Sequence, residues 1–198
     1  TIDNDVYGTD ETIGFDTAVN TAVRAVDQLR DTGESTGMMF FVEVMGRTSG
    51  AIAMHTALAA GAAGVLVPEE HEHHDNIVAR LRHSMANGKR SHIIVVSEGD
   101  EQGGAFAVAE QIGTVLHHPY RVIVLGHVQR GGNPTVRDRI VAALSGSRAV
   151  EALAEGRSGM MIGIQGGRAV EVPLSEVVER VHREPDLALL HLAWQISG

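Results

Sequence analysis

The chain has 198 residues, 43% of them hydrophobic and 21% charged, a composition that supports a buried core and excludes intrinsic disorder. Its 25 acidic and 16 basic residues give a formal net charge of -9, and the basic residues are scattered, which argues against a groove for nucleic acid. The absence of cysteine excludes disulfides and thiolate sites and fits a reducing cytoplasm, and no apolar run reaches the ~18 residues of a membrane span.

The first predicted element is an amphipathic helix that begins near Thr12 and ends at Gly33. Its apolar residues recur at helical spacing, and the Thr32-Gly33 pair is typical of a helix end. Four short apolar runs follow, which are too brief for helices and rich in strand-forming residues. These runs are residues 38–42, 64–67, 92–96 and 121–125.

Helical patterns separate the four predicted strands. They cover residues 51–60, 77–85 and 105–112. The alternation of strand and helix predicts a largely parallel sheet, and the continuous apolarity of the strands predicts that both of its faces are buried. Beyond Pro134, the pattern predicts a helix, a strand pair around the Gly166-Gly167 turn, and two helices, at 177–181 and 187–196. The sequence is therefore predicted to be an α/β protein built from parallel-sheet layers.

Polar and glycine-rich segments follow each predicted strand, where ligands of parallel sheets bind. These segments are residues 43–47, 68–70, 97–100 and 126–132. Arg47, His127 and Arg130 can hold a phosphate by charge-assisted hydrogen bonds, and Glu98 can accept hydrogen bonds from sugar hydroxyls. The pattern indicates a phosphosugar site. The alternative for each residue is structural, with the arginines at the sheet edge and Glu98 capping a helix.

The opening segment places two carboxylates, Asp3 and Asp5, two residues apart. In an extended segment they would share one side. Such a pair suits a general base and a ligand for Mg²⁺, which takes one or two carboxylates together with phosphate oxygens and water. The alternative is a structural turn around Asn4.

A second polar cluster, His71-Glu72-His73-His74-Asp75, contains residue types that bind zinc. It lacks the spacing of a known zinc motif and precedes a predicted helix that Asp75 can cap. We interpret it as a solvated segment.

These motifs together resemble the phosphofructokinase family in its bacterial, ATP-dependent form. Thr1–Asp5 and the following residues 8–18 resemble the catalytic signature of that family. The match continues in the family's order through residues 42–47, Pro68-Glu69, Glu98 and 126–134. It covers most of the chain up to about residue 145, and the similarity beyond is looser.

The resemblance implies a phosphofructokinase-like α/β fold with two parts. Residues 15–131 would form the sugar-phosphate-binding domain, and residues 1–14 with 132–198 a remnant of the nucleotide-binding domain. In the family, the glycine-rich donor site precedes the segment matched by Thr1–Asp5. We therefore expect the N-terminal nucleotide-binding portion to be absent from this chain, and the isolated chain to be inactive.

The resemblance also implies an activity, the Mg²⁺-dependent transfer of the ATP γ-phosphoryl group to the 1-hydroxyl of fructose 6-phosphate in glycolysis. Asp3 would be the general base, Thr1 would contact the transferring group, and Asp5 would lie near the metal. The other implied contacts are Met45, Gly46 and Arg47 with the sugar phosphate and transition state, Glu98 with the sugar hydroxyls, and His127 with Arg130 on the 6-phosphate.

The family is usually a homotetramer in which a neighbouring subunit supplies two arginines to that phosphate. Arg121 matches one of them. The other position is occupied by Met38, which cannot bind phosphate, and a lost charge-assisted hydrogen bond costs roughly 1.5–3 kcal/mol.

Bacterial members also carry an effector site for a nucleoside diphosphate or phosphoenolpyruvate. Arg30, Lys89 and Arg90 match its basic positions, whereas Ala63 stands where a metal-contacting glutamate is usual. The alternative for Lys89-Arg90 is a solvated loop.

Three other functions stay open on the sequence. A pyrophosphate-dependent phosphofructokinase is one, because the residue that helps to separate the two donors precedes Thr1. The others are a non-catalytic sugar-phosphate-binding or regulatory subunit, and a metal-dependent phosphohydrolase that uses Asp3 and Asp5.

Overall fold

A four-stranded parallel sheet forms the centre of the computed structural model, which describes residues 1–70, 74–99, 103–180 and 186–196. The strands are β1 (Met39–Val44), β2 (Gly64–Leu66), β3 (His92–Ser97) and β4 (Tyr120–Val124), in the order β2-β3-β1-β4. All four predicted strands and their parallel arrangement are confirmed. β1, β2 and β3 are almost wholly buried, whereas β4 is an edge strand with exposed residues.

Helices cover both faces of this sheet. They are α1 (Phe15–Thr36), α2 (Ala51–Ala60), α3 (His74–Ala86) and α4 (Gly104–Leu116). Because strand side chains alternate, Phe40 and Val42 face the core beneath α1 and α2, while Met39 and Phe41 face the core beneath α3 and α4. The sheet is therefore the middle layer of an α/β sandwich, as the continuous apolar runs predict.

The predicted end of α1 at Gly33 is wrong, since the helix continues to Thr36 and Gly37 caps it in the left-handed conformation with φ 70°. Gly33 is buried in the last turns of α1, and a Cβ atom on it would lie 2.7 Å from the Ser91 hydroxyl oxygen. This glycine serves close packing against the loop before β3, a role that local sequence does not distinguish from a stop signal.

The chain after β4 begins with a short 3-10 helix, Gly126–Arg130. It is followed by α5 (Val136–Ala154), the antiparallel pair β5 (Met160–Gln165) and β6 (Arg168–Pro173), α6 (Leu174–Glu179) and α7 (Leu187–Ile196). The order of these elements is as predicted. α6 lies three residues earlier than expected at its start, and residue 181 lies outside the described residues.

The last helix packs back on the four-stranded sheet. α7 contacts α2 and β2, and the Trp194 indole N–H donates to the Val65 carbonyl oxygen at 3.3 Å. The division of the chain into two parts at residue 131 stays a prediction. α7, which is assigned to the nucleotide-binding part, packs on the part formed by residues 15–131.

A carboxylate from α5 caps the start of α1. Asp138 is 4% exposed and accepts hydrogen bonds from the N–H groups of Gly14 at 2.7 Å and Thr17 at 2.9 Å, and from the Thr17 hydroxyl. The first N–H groups of a helix lack partners within the helix, so Asp138 satisfies two of them and fixes α5 against α1. Across the described parts of the chain, no helix is long and apolar enough to cross a membrane.

Candidate functional site

The loops after β1, β3 and β4 meet at one edge of the sheet. Parallel pairing aligns Val44 with Ser97 and Glu43 with Val124. The backbone continues this pairing beyond the strands, since the Glu98 N–H donates to the Val44 carbonyl at 2.9 Å. The predicted polar segments around Arg47, Glu98 and Arg130 therefore begin at neighbouring positions.

The Met45-Gly46-Arg47 turn is fixed by the Glu98 side chain. Its Oε1 atom accepts from the N–H groups of Gly46 at 3.2 Å and Arg47 at 3.0 Å. Neither amide belongs to a helix, so Glu98 does not act as a helix cap through this oxygen. Arg47 has φ 53°, a left-handed conformation that is costly for a side-chain-bearing residue. A Cβ atom built on Gly99 would overlap the Arg47 carbonyl oxygen, so the two loops are packed as closely as their backbones allow.

The 3-10 helix after β4 presents its two cationic candidates to solvent. His127 and Arg130 are exposed and lie three residues apart, which places them on one face of a helix with three residues per turn. Gln129 points the other way, is 1% exposed, and accepts through Oε1 from the Met45 N–H at 2.8 Å. Gln129 is not singled out by the sequence, because its polar side chain in the segment 126–132 does not by itself indicate burial or a backbone partner.

Asp3 is 5% exposed, and its Oδ1 atom has no hydrogen-bond partner among the described residues. Its backbone is held by the Ser49 hydroxyl, which donates to the Asp3 carbonyl at 2.8 Å, and by the exposed Thr1, whose hydroxyl accepts from the Asp3 N–H at 3.1 Å. Ser49 belongs to the loop after β1, so Asp3 is fixed to the loop that carries Arg47. A buried carboxylate oxygen without a protein partner is poised to accept a proton or a hydrogen bond from a ligand.

The segment that joins Asp3 to Asp5 is not extended, so the expectation based on an extended segment is wrong. Asn4 has φ 53° and is locked by its own side chain, which accepts from the Thr12 N–H at 2.9 Å and donates to the Asp10 carbonyl at 3.3 Å. Asn4 therefore has a structural role in this segment, which bends at Asp3. Asp5 lines an acidic cavity of about 540 Å³ whose lining does not include Asp3.

Two other carboxylates of the predicted polar segments hold helix ends. Glu43 accepts from the Ala105 N–H at 2.9 Å at the start of α4, and Glu69 accepts from the N–H of Gly50, the N-cap of α2, at 2.7 Å. Negative charge at a helix N-terminus is favourable, so these glutamates have structural roles. The segment 71–73 lies outside the described residues, and His74 begins α3 with Asp75 in its first turn. Within the described ranges, no group of three or more histidine, aspartate or glutamate side chains is placed to hold a metal ion.

Arg121 lies near the amino ends of the strands, opposite the loops that carry Arg47 and Arg130. It pairs with Phe40 near the start of β1, is exposed, and donates to the Tyr120 carbonyl at 3.0 Å. Val44 lies four residues beyond Phe40 in β1, which at ~3.3 Å per residue is ~13 Å. One chain therefore does not bring Arg121 to the loops that carry Arg47 and Arg130. Met38 immediately precedes β1 and lies at the same edge as Arg121.

The three basic residues assigned to an effector site lie together. Arg30, Lys89 and Arg90 line a cavity of about 390 Å³ with Glu34 and Ser91. Arg30 donates to the Ala60 carbonyl and Arg90 to the Ser35 carbonyl at 3.5 Å. Ala63, at the position of the usual glutamate, is buried in the core.

A buried histidine adjoins this basic cavity. The His92 ring lies 3.0 Å, through Nε2, from the Lys89 carbonyl oxygen. Burial lowers the pKa of His92, and the nearby charges of Lys89 and His118 act in the same direction, against the Lys89 carbonyl contact. The ring therefore ties the basic loop to the start of β3.

The family model described as phosphofructokinase matches residues 1–153. The ATP-dependent 6-phosphofructokinase 1 of Thermus thermophilus is 50% identical over 193 residues, covering 98% of this chain and 60% of that protein. The ATP-dependent 6-phosphofructokinase of Lysinibacillus sphaericus is 48% identical over 199 residues, covering 100% of this chain and 61% of that protein.

The fold is also similar to that of a solved phosphofructokinase. The solved structure of phosphofructokinase from Saccharomyces cerevisiae superposes with a TM-score of 0.86 at 31% identity, covering 100% of this chain and 27% of that chain. The present chain thus spans about 60% of the length of the curated bacterial relatives described above.

Proposed function

Because the chain belongs to the phosphofructokinase family, we propose that it forms the acceptor-binding part of an ATP-dependent 6-phosphofructokinase. The reaction is transfer of the ATP γ-phosphoryl group to the 1-hydroxyl of fructose 6-phosphate, a step of glycolysis. The observation that carries this proposal is the set of hydrogen bonds that joins the Met45–Arg47 turn to Glu98 and to the 3-10 helix of His127 and Arg130, and joins the buried Asp3 to Ser49 in the loop after β1. The names of the bacterial relatives support ATP as the donor.

Asp3 is the proposed general base. Its buried Oδ1 atom accepts the proton of the 1-hydroxyl as the hydroxyl oxygen forms its bond to the γ-phosphorus and ADP departs. Thr1 contacts the transferring group. Arg47 neutralises charge that spreads over the phosphoryl oxygens, which is the main requirement of this chemistry together with positioning.

The sugar lies between the Met45–Arg47 turn and the 3-10 helix. His127 and Arg130 bind the 6-phosphate from their common exposed face. Glu98 uses Oε1 to hold the Gly46 and Arg47 amides, and we assign its second carboxylate oxygen to the sugar hydroxyls.

Mg²⁺ accompanies the nucleotide in this proposal. Mg²⁺ takes one or two carboxylates together with phosphate oxygens and water, and Asp5 lines an acidic cavity. Asp5 is the carboxylate assigned to it here. Bound Mg²⁺ supplies charge neutralisation at the donor phosphates.

A homotetramer accounts for the position of Arg121. Because Arg121 lies at the amino ends of the strands, it can reach a sugar phosphate only in a neighbouring subunit. Met38, at the same end of the sheet, brings no charge. The cavity lined by Arg30, Lys89 and Arg90 is assigned to an anionic effector such as a nucleoside diphosphate. Residues 15–131 are assigned to the sugar-phosphate domain, with α7 packed on it.

Calorimetric titration of the chain with fructose 6-phosphate tests the proposal, after cooperative unfolding has been verified. Arg47→Ala and His127→Ala are expected to weaken binding by about tenfold each, since a charge-assisted hydrogen bond contributes ~1.5–3 kcal/mol. Arg24→Ala, at an exposed position of α1, is the matched control and leaves affinity unchanged. A folded chain that does not bind the sugar phosphate, or equal binding by all three variants, would contradict the assignment.

A further inference from the structure

Gln129 lies at the centre of the loop junction and has no role in the chemistry described above. It is 1% exposed, although its neighbours His127, Val128 and Arg130 in the same 3-10 helix are exposed. With three residues per turn, the face that carries His127 and Arg130 excludes Gln129. The helix therefore presents two cations outward and one amide inward.

The inward amide makes a directed contact. Gln129 Oε1 accepts from the Met45 N–H at 2.8 Å. Because the partner is an N–H donor, only the carbonyl end of the side-chain amide can face it. The other end, Nε2, is buried without a protein partner among the described residues. The side chain is thus committed to a single backbone group in the turn after β1.

That turn is held from two sides. Its three successive N–H groups all donate to side chains from other loops: Met45 to Gln129, and both Gly46 and Arg47 to Glu98. Arg47 has a left-handed conformation with φ 53°, which persists only where the surroundings impose it. Glu98 anchors the turn to β3, and Gln129 anchors it to the helix after β4.

We propose that Gln129 is a positioning residue that fixes the distance between the Met45–Arg47 turn and the His127-Arg130 face, and so selects a sugar monophosphate that spans both. The inference rests on the proposed function for the identity of the ligand. A ligand that occupies only the cationic face does not depend on this distance. A ligand that contacts both loops does, because each loop must meet it at the same time.

The experiment compares Gln129→Met, which keeps the side-chain length and removes the acceptor, with Val128→Ala at a position that is 66% exposed. Affinity is measured for fructose 6-phosphate and for inorganic phosphate, and exchange of the Met45 amide hydrogen is followed by NMR. In Gln129→Met we expect about tenfold weaker binding of the sugar phosphate, an unchanged affinity for phosphate, and about tenfold faster exchange at Met45. Val128→Ala leaves all three values unchanged.

Gln129→Glu keeps an acceptor for the Met45 N–H, so the Met45 amide hydrogen is expected to exchange as slowly as in the wild-type chain. This variant provides a second measurement if Gln129→Met fails to fold. Unchanged sugar-phosphate affinity in Gln129→Met, or an equal loss for both ligands, would overturn the inference. If the wild-type chain binds no fructose 6-phosphate, the proposed function fails. The Met45 exchange rate then still decides whether Gln129 holds the turn.

Discussion

Removal of the Asp138 carboxylate tests how α5 and α1 are joined. Asp138 accepts from the N–H groups of Gly14 and Thr17 and from the Thr17 hydroxyl. Asp138→Ala leaves two helix N-terminal donors without their partner. Asp138→Asn retains one oxygen and loses the charge that faces the helix N-terminus.

The expected size follows from these contacts. Loss of a helix cap costs ~0.5–2 kcal/mol, and each hydrogen bond to a charged group contributes ~1.5–3 kcal/mol. Gly14 and Thr17 are only partly buried, so water can recover part of the loss, and the Thr17 hydroxyl can reorient. We therefore expect Asp138→Ala to lower the free energy of unfolding by ~3 kcal/mol and Asp138→Asn by ~1 kcal/mol.

Urea denaturation monitored by circular dichroism measures both values. Asp27→Ala, at an exposed aspartate of α1, is the control and should change the free energy of unfolding by less than ~0.5 kcal/mol. A loss below ~1 kcal/mol in Asp138→Ala would refute the assignment of this carboxylate as the cap of α1.

Three further outcomes are expected. Gly99→Ala forces its Cβ against the Arg47 carbonyl and should lower the free energy of unfolding, measured in urea, by ~1–3 kcal/mol. The control Gly146→Ala, in open space on α5, should raise the free energy of unfolding by ~0.5–1 kcal/mol. Equal effects of the two substitutions would contradict the close packing of the loops. Burial lowers the pKa of His92 below its ordinary 6.5, so the unfolded state takes up the proton first as the pH falls, and the free energy of unfolding decreases below about pH 6.5. His92→Gln should flatten that decrease below about pH 6.5, and an unchanged slope would exclude His92 as its source. On the proposed function, Asp3→Asn in a protein that joins this chain to a donor-binding part should lower kcat at least ~100-fold with little change in fructose 6-phosphate binding. Normal turnover would remove Asp3 from the role of base.

The sequence carried most of the fold because its signals are local. Each buried strand is a short apolar run between helical patterns, and this alternation alone is compatible with few arrangements other than a parallel sheet. Parallel strands place the polar residues after β1, β3 and β4 at one end of the sheet, so the sequence alone predicts that the loops of Arg47, Glu98 and Arg130 are neighbours.

The tertiary structure decided what each polar residue touches. Glu43 and Glu69, which follow the same strands as the candidate ligands, hold the starts of α4 and α2 instead. Gly33 packs against Ser91 rather than ending α1. Such outcomes depend on the distance to a partner far along the chain, and residue type alone does not encode that distance.

The structural roles of Asp138 and Gln129 likewise could not be predicted from the sequence. Their partners, Thr17 and Met45, lie 121 and 84 residues away in sequence, so no periodicity or motif spacing reveals the pairs. Periodic hydrophobicity determines which segments are buried, because burial acts on every apolar side chain alike. Directional hydrogen bonds determine how the loops of the site are joined, and they exist only once the sheet has brought those loops within reach.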